Sequence, residues 1–394
     1  MTDDTYIEVN CQQRNHFGER ICGDIYLTHR IEEENRTIAV LSDGMGHGVK
    51  ANVLATLTAT MALKFTKEHE SVEKIAEVIL KTLPECSERK MSYATFTIID
   101  IHHGQKMNIL EYGNPETLIF RDGQPLIPQW NCIILTQGKA RGKEIRSCSF
   151  IPRKEDRVLV FTDGITQSGL GAGKYPMGWG LSGVSEHIGQ LLKRDPAMSA
   201  RKLAARMVNV AVQNDHFQPK DDTSCMVFYF REPRKLLICT GPPFDEGKDR
   251  VAAQMIEGFQ GKVIICGATT AEIIARELGR EITDHQERYD DKLPPTATME
   301  GIDLITEGLL TLSRVSTLLE NYQEENRIGK GPADQILKHL LQSDEIMFVV
   351  GTRINTAHQD PSFPVELEIR RTLIRRIAKT LQRKYLKRVD CKYL

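Results

Sequence analysis

Hydrophobic residues in the first half of the chain follow two different spacings. Short apolar stretches predict strands at residues 24–28 and 37–42. Apolar positions then recur with helical spacing, which predicts a helix beginning near Val49 and a second helix over residues 72–83. The predicted apolar face is Val53, Leu54, Leu57, Met61 and Phe65 in the first helix and Val72, Ile75, Ala76, Ile79 and Leu83 in the second.

The pattern becomes strand-like between residues 93 and 160. Strands are predicted at residues 94–101 and 106–112, joined by the turn His102-His103-Gly104, and a hairpin is predicted around Asp122-Gly123. After Asp163 the spacing is helical again, most clearly over residues 200–212, and a strand is predicted at residues 224–230. Blocks of strands and blocks of helices on this scale predict a layered α+β domain.

A charged, proline-containing stretch at residues 231–235 separates two apolar runs and predicts a domain boundary, which gives domains of residues 1–232 and 233–394. The second domain alternates between strand-like and helix-like segments. Strands are predicted at 236–240, 262–267, 302–305 and 345–351, and helices from about 248 and at 270–278, 309–319 and 365–386. This alternation predicts an α/β domain with a mostly parallel sheet.

Composition narrows the class of protein. The 394 residues are enough for two or three domains, and 40% hydrophobic with 27% charged residues is typical of a globular protein. The formal net charge of -1 indicates no nucleic-acid partner, and no apolar stretch is long enough for a membrane span or a signal peptide. The nine scattered cysteines, without a C-x-x-C pair, favour free thiols and a cytoplasmic location.

Acidic residues stand beside glycine or a second acid at Asp24, Asp43, Asp163 and the pair Asp221-Asp222. An isolated Asp-Gly is most often a turn, as is expected for Asp122-Gly123. Asp43 and Asp163 differ because each follows a continuous apolar run that predicts a strand buried on both faces. Converging carboxylates repel each other, and a hard divalent cation with oxygen ligands is the usual solution.

These strings, taken in order, resemble the metal-dependent PPM-type serine/threonine phosphatases, and most closely their bacterial SpoIIE-like branch. The resemblance rests on Gly23-Asp24, on LSDGMGHG at residues 41–48, on FTDGIT at 161–166 and on DDTS at 221–224. The string EYGNP at residues 111–115 also stands where that branch has a glycine-rich turn. The resemblance covers residues 1–232.

The resemblance implies a β-sandwich flanked by helices, with two Mn²⁺ or Mg²⁺ ions at one end. Asp43 would bridge the ions, Asp24 and Asp163 would bind one each, and the Gly44 carbonyl would complete one coordination shell. The last ligand would be Asp221, with Asp222 as the alternative. A metal-bridged hydroxide would then hydrolyse phosphoserine or phosphothreonine on a regulatory protein.

Other features allow two interpretations each. Arg20 lies close to where the wider family has a phosphate-binding arginine, but it also fits a solvated side chain. His47 could protonate the leaving group or simply pack at a helix start. The helix from Val49 corresponds to a regulatory switch in the SpoIIE-like branch, which would make a regulatory partner or a homodimer relevant, yet its spacing also fits plain core packing.

The second domain has no comparable resemblance. Residues 241–249 do not form a nucleotide-binding P-loop, because the spacing is wrong and two prolines remove amide donors. Small hydroxyl residues at several predicted strand ends indicate either a site for a small-molecule or protein regulator, or ordinary helix capping. The basic C-terminal helix, with Leu373, Ile374, Ile377, Leu381 and Tyr385 on one face, is expected to cover a sheet rather than meet a membrane or nucleic acid.

Two rival functions stay open beside the phosphatase. One is a catalytically silent binding module that keeps the fold as a docking surface, and the other is hydrolysis of a small phosphate ester. The presence of all the acid positions favours an enzyme, and metal-dependent turnover separates it from the silent module.

Overall fold

A computed structural model of the chain describes residues 5–31, 33–70, 72–82, 94–135, 141–171, 175–285, 293–322, 328–353, 364–385 and 387–394. The chain divides into two compact units, Met1–Glu232 and Pro233–Leu394. The charged stretch at residues 231–235 contains the division. None of the helices in the described ranges is long and apolar enough to cross a membrane.

The N-terminal unit combines antiparallel strands with helices. Its elements are β1 (Tyr6–Arg14), β2 (Ile25–Ile31), β3 (Arg36–Gly44), α1 (Gly48–Lys67), α2 (Val72–Thr82), β4 (Ala94–His102), β5 (Lys106–Tyr112), β6 (Leu118–Arg121), β7 (Gln124–Leu126), β8 (Asn131–Ile134), β9 (Glu144–Phe150), β10 (Arg157–Phe161), α3 (Asp163–Thr166), α4 (Gly180–Arg194), α5 (Ala200–Asn214) and β11 (Thr223–Arg231). The strands form one sheet in the order β1-β11-β10-β6-β7 and another in the order β2-β3-β4-β5-β9-β8.

The two sheets pack face to face, and helices cover their outer faces. Ala39 and Leu41 of β3 point inward, where they share a hydrophobic core with Val158 of β10 and Phe228 of β11. Val40, between them, points outward into a core with α1 and α2, while α4 and α5 cover the other sheet. This alternation is that of a β-sandwich flanked by helices, so the predicted α+β fold is confirmed.

Strand β11 is an inner strand of its sheet. All nine of its residues are buried, because the sandwich core covers one face and α5 the other. It pairs with β10 on one side and with β1 on the other, along the full nine residues from Tyr6 opposite Arg231 to Arg14 opposite Thr223. The first and last strands of the unit are therefore neighbours.

The predicted apolar face of α1 is wrong. Val53 is 59% and Leu57 43% exposed, while Leu54, Met61 and Phe65 are only partly buried. The buried face consists of small residues, namely Gly48, Ala51, Ala55, Thr58, Ala59, Ala62 and Thr66. The helix lies so close to the sheet that larger side chains have no room, and this close approach outweighs hydrophobicity in selecting the buried face.

The other sequence predictions for this unit hold with small shifts of boundary. Ile75, Ala76 and Ile79 of α2 are buried as expected, and β6 and β7 form the hairpin around Asp122-Gly123. Leu83 and Tyr93 lie outside the described residues. Helical structure was predicted after Asp163, but α4 was not delimited, because its glycine-containing start is typical of a loop.

The C-terminal unit is a sheet between two layers of helices. Its elements are β12 (Lys235–Thr240), a 3-10 turn (Glu246–Lys248), α6 (Asp249–Glu257), β13 (Lys262–Cys266), α7 (Ala268–Leu278), β14 (Ile282–Asp284), β15 (Ala297–Met299), β16 (Ile302–Thr306), α8 (Leu309–Asn321), α9 (Pro332–Gln342), β17 (Glu345–Val350), α10 (Pro364–Tyr385) and β18 (Arg388–Tyr393). The strand order is β14-β15-β16-β13-β12-β17-β18.

The sheet is parallel from β16 through β18, and β14 and β15 add an antiparallel edge. The predicted mostly parallel α/β domain is confirmed, although β14, β15, β18 and α9 were not foreseen. Helix α10 buries Ile374, Ile377 and Leu381 against the sheet core, as expected of a covering helix. Two of its basic side chains have partners nearby: Arg376 pairs with Glu320, and Lys384 Nζ donates to the carbonyls of Leu319, Glu320 and Tyr322.

The strand ends of this unit are closely packed. Thr240, Thr270 and Thr306 are buried, and the Thr306 hydroxyl donates to the Glu307 carbonyl. A Cβ built at Gly351 would lie 2.1 Å from the Pro242 carbonyl oxygen, so the turns after β12 and β17 are in direct contact. A regulator site at these strand ends stays a prediction.

Candidate metal centre

The acidic residues selected from the sequence lie at strand ends. Asp43 is near the end of β3, and Asp24 directly precedes β2, the antiparallel neighbour of β3. Asp163 follows β10 within two residues, and Asp221 and Asp222 precede β11, the antiparallel neighbour of β10. Within each sheet, therefore, the acids lie at the same end of neighbouring strands.

Asp24 connects the acid-bearing ends of the two sheets. Its Oδ2 accepts hydrogen bonds from Thr162 Oγ1 at 2.9 Å and Ser224 Oγ at 2.6 Å, both from the opposite sheet. Burial raises the pKa of Asp24 to about 7; the two hydroxyl hydrogen bonds act against this rise, and the charge of Asp222 adds to it. Asp24 is 1% exposed, and its Oδ1 has no hydrogen-bond partner among the described residues. A buried carboxylate with an unused oxygen favours a cation nearby.

Asp43 and Asp163 lie close enough to affect each other's ionisation. Burial raises the pKa of Asp43 well above its usual range, as do the charges of Asp24, Asp163 and Asp221. Burial also raises the pKa of Asp163, whereas the hydrogen bond with Asp43 lowers it.

The two adjacent acids of the last motif have different neighbours. Burial, together with the charge of Asp163, raises the pKa of Asp221 to about 6. Asp222 is 2% exposed, and its Oδ1 accepts the backbone N–H of His16 at 3.0 Å. Asp221 is thus the acid that interacts with Asp43 and Asp163, which favours it over Asp222 as a metal ligand.

Helix α1 lies directly on the strand end that carries Asp43. A Cβ at Gly44 would stand 2.1 Å from the backbone oxygen of Ala51, so only glycine fits there. The same holds at Gly164, where a Cβ would stand 2.3 Å from the Asp222 carbonyl oxygen. These close approaches fix the backbone beside three of the acids.

The donor set suits a hard divalent cation. It consists of carboxylate oxygens whose charges raise one another's pKa, and Asp24 contributes an oxygen without a partner. No three His, Cys, Asp or Glu side chains in the described part of the chain are arranged to hold a metal ion as they stand. Rotation of carboxylates, or water molecules as additional ligands, is therefore needed for ions to bind.

The two other candidate residues are exposed. Arg20 makes no hydrogen bond or ion pair with any described residue. His47 precedes α1, and its Nδ1 lies 2.7 Å from Glu19 Oε1. Because an ionised carboxylate only accepts, the hydrogen of this bond belongs to Nδ1, and Nε2 is left for other partners.

The sequence did not single out His16, Thr162 or Ser224. His16 stacks on His47 and, through its backbone N–H, holds Asp222. Thr162 and Ser224 hold Asp24, and each stands within two residues of a candidate acid in the sequence. That adjacency was an available signal for the two hydroxyls, whereas a backbone contact such as that of His16 leaves no mark in the sequence.

Comparison with known proteins supports the family resemblance seen in the sequence. The family model for stage II sporulation protein E matches residues 33–231. A search of curated proteins finds no match.

Solved structures give further similarities. The PP2C phosphatase domain of SpoIIE from Bacillus subtilis, with a fragment of its regulatory domain, is 17% identical with a TM-score of 0.48. The match covers 59% of this chain and 65% of that one, so this chain spans less than two thirds of its length. The catalytic domain of the phosphatase PstP, in complex with two manganese ions, is 14% identical with a TM-score of 0.39, and the match covers 58% of this chain and 100% of that one.

Proposed function

The chain belongs to the SpoIIE family, and we propose that it is a metal-dependent phosphatase acting on phosphoserine or phosphothreonine of a regulatory protein. One observation carries the proposal: Asp24, Asp163 and Asp221 come from separate strand ends, yet all three lie close enough to Asp43 for their charges to raise its pKa. Clusters of like-charged groups lower the stability of a folded protein, and they are typical of functional sites.

Each acid has a role in the proposal. Asp24, Asp43, Asp163 and Asp221, together with the Gly44 carbonyl, would hold two Mn²⁺ or Mg²⁺ ions, with Asp43 placed to contact both. Bound ions would lower the pKa of a bridging water and neutralise phosphoryl oxygens. The hydroxyls of Thr162 and Ser224 fix the Asp24 carboxylate through Oδ2, which leaves Oδ1 available to a metal ion.

Two exposed side chains complete the proposed machinery. His47 donates a proton to the leaving alkoxide, and Glu19 supports it by accepting from Nδ1 and stabilising the positively charged ring. Arg20 binds phosphoryl oxygens, since its guanidinium has no partner among the described residues and is free to reach a substrate.

The test is hydrolysis of p-nitrophenyl phosphate and of a phosphoserine protein by the full chain with Mn²⁺, beside a chelator and the Asp43→Asn variant. Turnover that requires metal and is lost in the variant supports the proposal. Calorimetry on the same samples shows whether two ions bind. Absence of metal binding would contradict it.

A second candidate is a catalytically silent binding module. The observation that favours it is the lack, among the described side chains, of a group of three already arranged around one ion. Under this alternative, binding of a partner protein survives loss of Asp43, whereas an enzyme loses turnover. In either case we assign the C-terminal unit, residues 233–394, to binding a small-molecule or protein regulator.

A further inference from the structure

A groove beside the acidic cluster is unexplained by the proposed chemistry. It has a volume of about 480 Å³ and lies between the end of β1 and the second half of α5. It is lined by Arg14, Arg206, Asn209, Val210, Val212, Gln213, Phe217 and Pro219. This size and this mixture of apolar and polar groups suit a peptide segment or a small ligand.

The groove is at the same end of the sheet as the acids. Arg14 ends β1 opposite Thr223, the residue after Asp222. Pro219 precedes Asp221 by two residues, so their Cα atoms are within about 7 Å. A chain segment that fills the groove can therefore continue to the acidic cluster.

The groove is positively charged. Its lining contains two arginines and neither aspartate nor glutamate. Arg14 and Arg206 are both exposed, and neither makes a hydrogen bond or an ion pair with a described residue. The partly buried Arg121 and Arg146 of the same unit, by contrast, pair with carboxylates.

An aromatic ring stands at the edge of the groove in a strained backbone. Phe217 has φ of 64° and the preceding His216 has φ of 53°, a conformation that bulky residues rarely adopt. The Phe217 N–H donates to the Val212 carbonyl at 2.8 Å, which closes the end of α5, yet the ring is 70% exposed. Strain that holds an apolar ring in solvent points to a contact with a partner.

We infer that this groove binds the acidic residues flanking the phosphorylated serine or threonine of the substrate protein. The inference rests on the proposed function and names the class of substrate: a phosphosite with aspartate or glutamate beside it. Arg14 and Arg206 pair with the flanking carboxylates, and Phe217 with Val210 and Pro219 contacts the apolar parts of the same segment.

The test compares two fluorescent phosphoserine peptides, one with flanking aspartates and one with asparagines in their place. Their binding to the full chain is measured by fluorescence anisotropy in wild type, in Arg14→Ala/Arg206→Ala and in Arg194→Ala/Arg250→Ala. The last pair removes the same charge from exposed positions outside the groove. We expect about a tenfold loss of affinity for the acidic peptide in the groove variant alone.

A second measurement uses wild type only, which avoids any effect of substitution on folding. Raising the ionic strength from about 0.05 M to about 0.5 M should weaken binding of the aspartate-flanked peptide far more than binding of the asparagine-flanked peptide. Equal affinity for the two peptides, or an equal loss in the control variant, overturns the inference. Turnover of p-nitrophenyl phosphate tests the proposed function separately, so one can fail while the other holds.

Discussion

The imidazole rings of His16 and His47 stack with their centroids 4.3 Å apart and their planes 13° from parallel. His16, whose backbone N–H binds Asp222, thus also orients His47 in front of α1. His47 is held from a second side by Glu19. The proposed proton donor is therefore linked to the acidic cluster by His16, a residue that no sequence motif marks.

The His47→Gln variant should distinguish substrates by their leaving group. A serine alkoxide needs a proton to leave and nitrophenolate does not, so kcat for a phosphoserine peptide should fall about 100-fold and kcat for p-nitrophenyl phosphate far less. His16→Ala should show the same selectivity with a smaller loss, because it acts through His47. An equal loss on both substrates would argue against proton donation.

The Asp43→Asn variant should have opposite effects on stability with and without metal. In a chelator, the variant removes a carboxylate whose charged form Asp24, Asp163 and Asp221 disfavour, so the free energy of unfolding should rise by about 1–2 kcal/mol. In Mn²⁺, the wild type should gain stability by binding ions and the variant should gain little. Thermal unfolding under both conditions checks this, with Asp122→Asn, at the β6–β7 turn, as the control.

Glu111 should make stability depend on pH. It is 2% exposed, and burial raises its pKa from 4.5 to about 7, partly offset by hydrogen bonds from Thr117. The folded state thus favours the protonated form. The resulting stabilisation is complete below pH 4.5 and is lost as the pH rises through 7, by roughly 3 kcal/mol in all.

The measurement is urea unfolding between about pH 4 and pH 8, in chelator, for wild type and Glu111→Gln. The difference between them should change over the interval from 4.5 to about 7 and be flat above it. Glu116→Gln, which removes a carboxylate between β5 and β6 that pairs with Arg146, is the matched control and should not show this change.

Two substitutions on α1 test which face is packed. Ala55→Leu puts a large side chain on the fully buried small-residue face and should lower the free energy of unfolding by about 1–3 kcal/mol. Leu57→Ala, on a side chain that is 43% exposed, should change it by at most about 0.5 kcal/mol. A larger loss of stability for Leu57→Ala than for Ala55→Leu would mean that α1 packs through the larger apolar residues instead.

Phe217→Gly should separate stability from binding. Glycine adopts a positive φ without strain, so the variant should gain up to about 1 kcal/mol of unfolding free energy. It should also bind the acidic phosphopeptide more weakly, because the exposed ring is lost. Gly123→Ala, at another positive-φ position, should do the opposite to stability and leave peptide binding intact.

The sequence predicts this fold well where apolar runs are long. β10 and β11 are buried on both faces, and their continuous apolar residues locate them directly. It fails where distance rather than hydrophobicity decides, as in α1, whose small buried face depends on the contact between Gly44 and Ala51. The order of the acids was accessible through resemblance, whereas the roles of His16 and of the two hydroxyls on Asp24 depend on three-dimensional contacts.

The pairing of β1 with β11 has a consequence for biosynthesis. These strands join residues more than 200 positions apart, and Asp221 and Asp222 immediately precede the later one. A nascent chain therefore exposes an unpaired β1 and an incomplete cluster of acids until β11 has left the ribosome. The N-terminal unit should thus close late and cooperatively, and translation products that stop before residue 223 should be targets for chaperones and proteases rather than partly active forms.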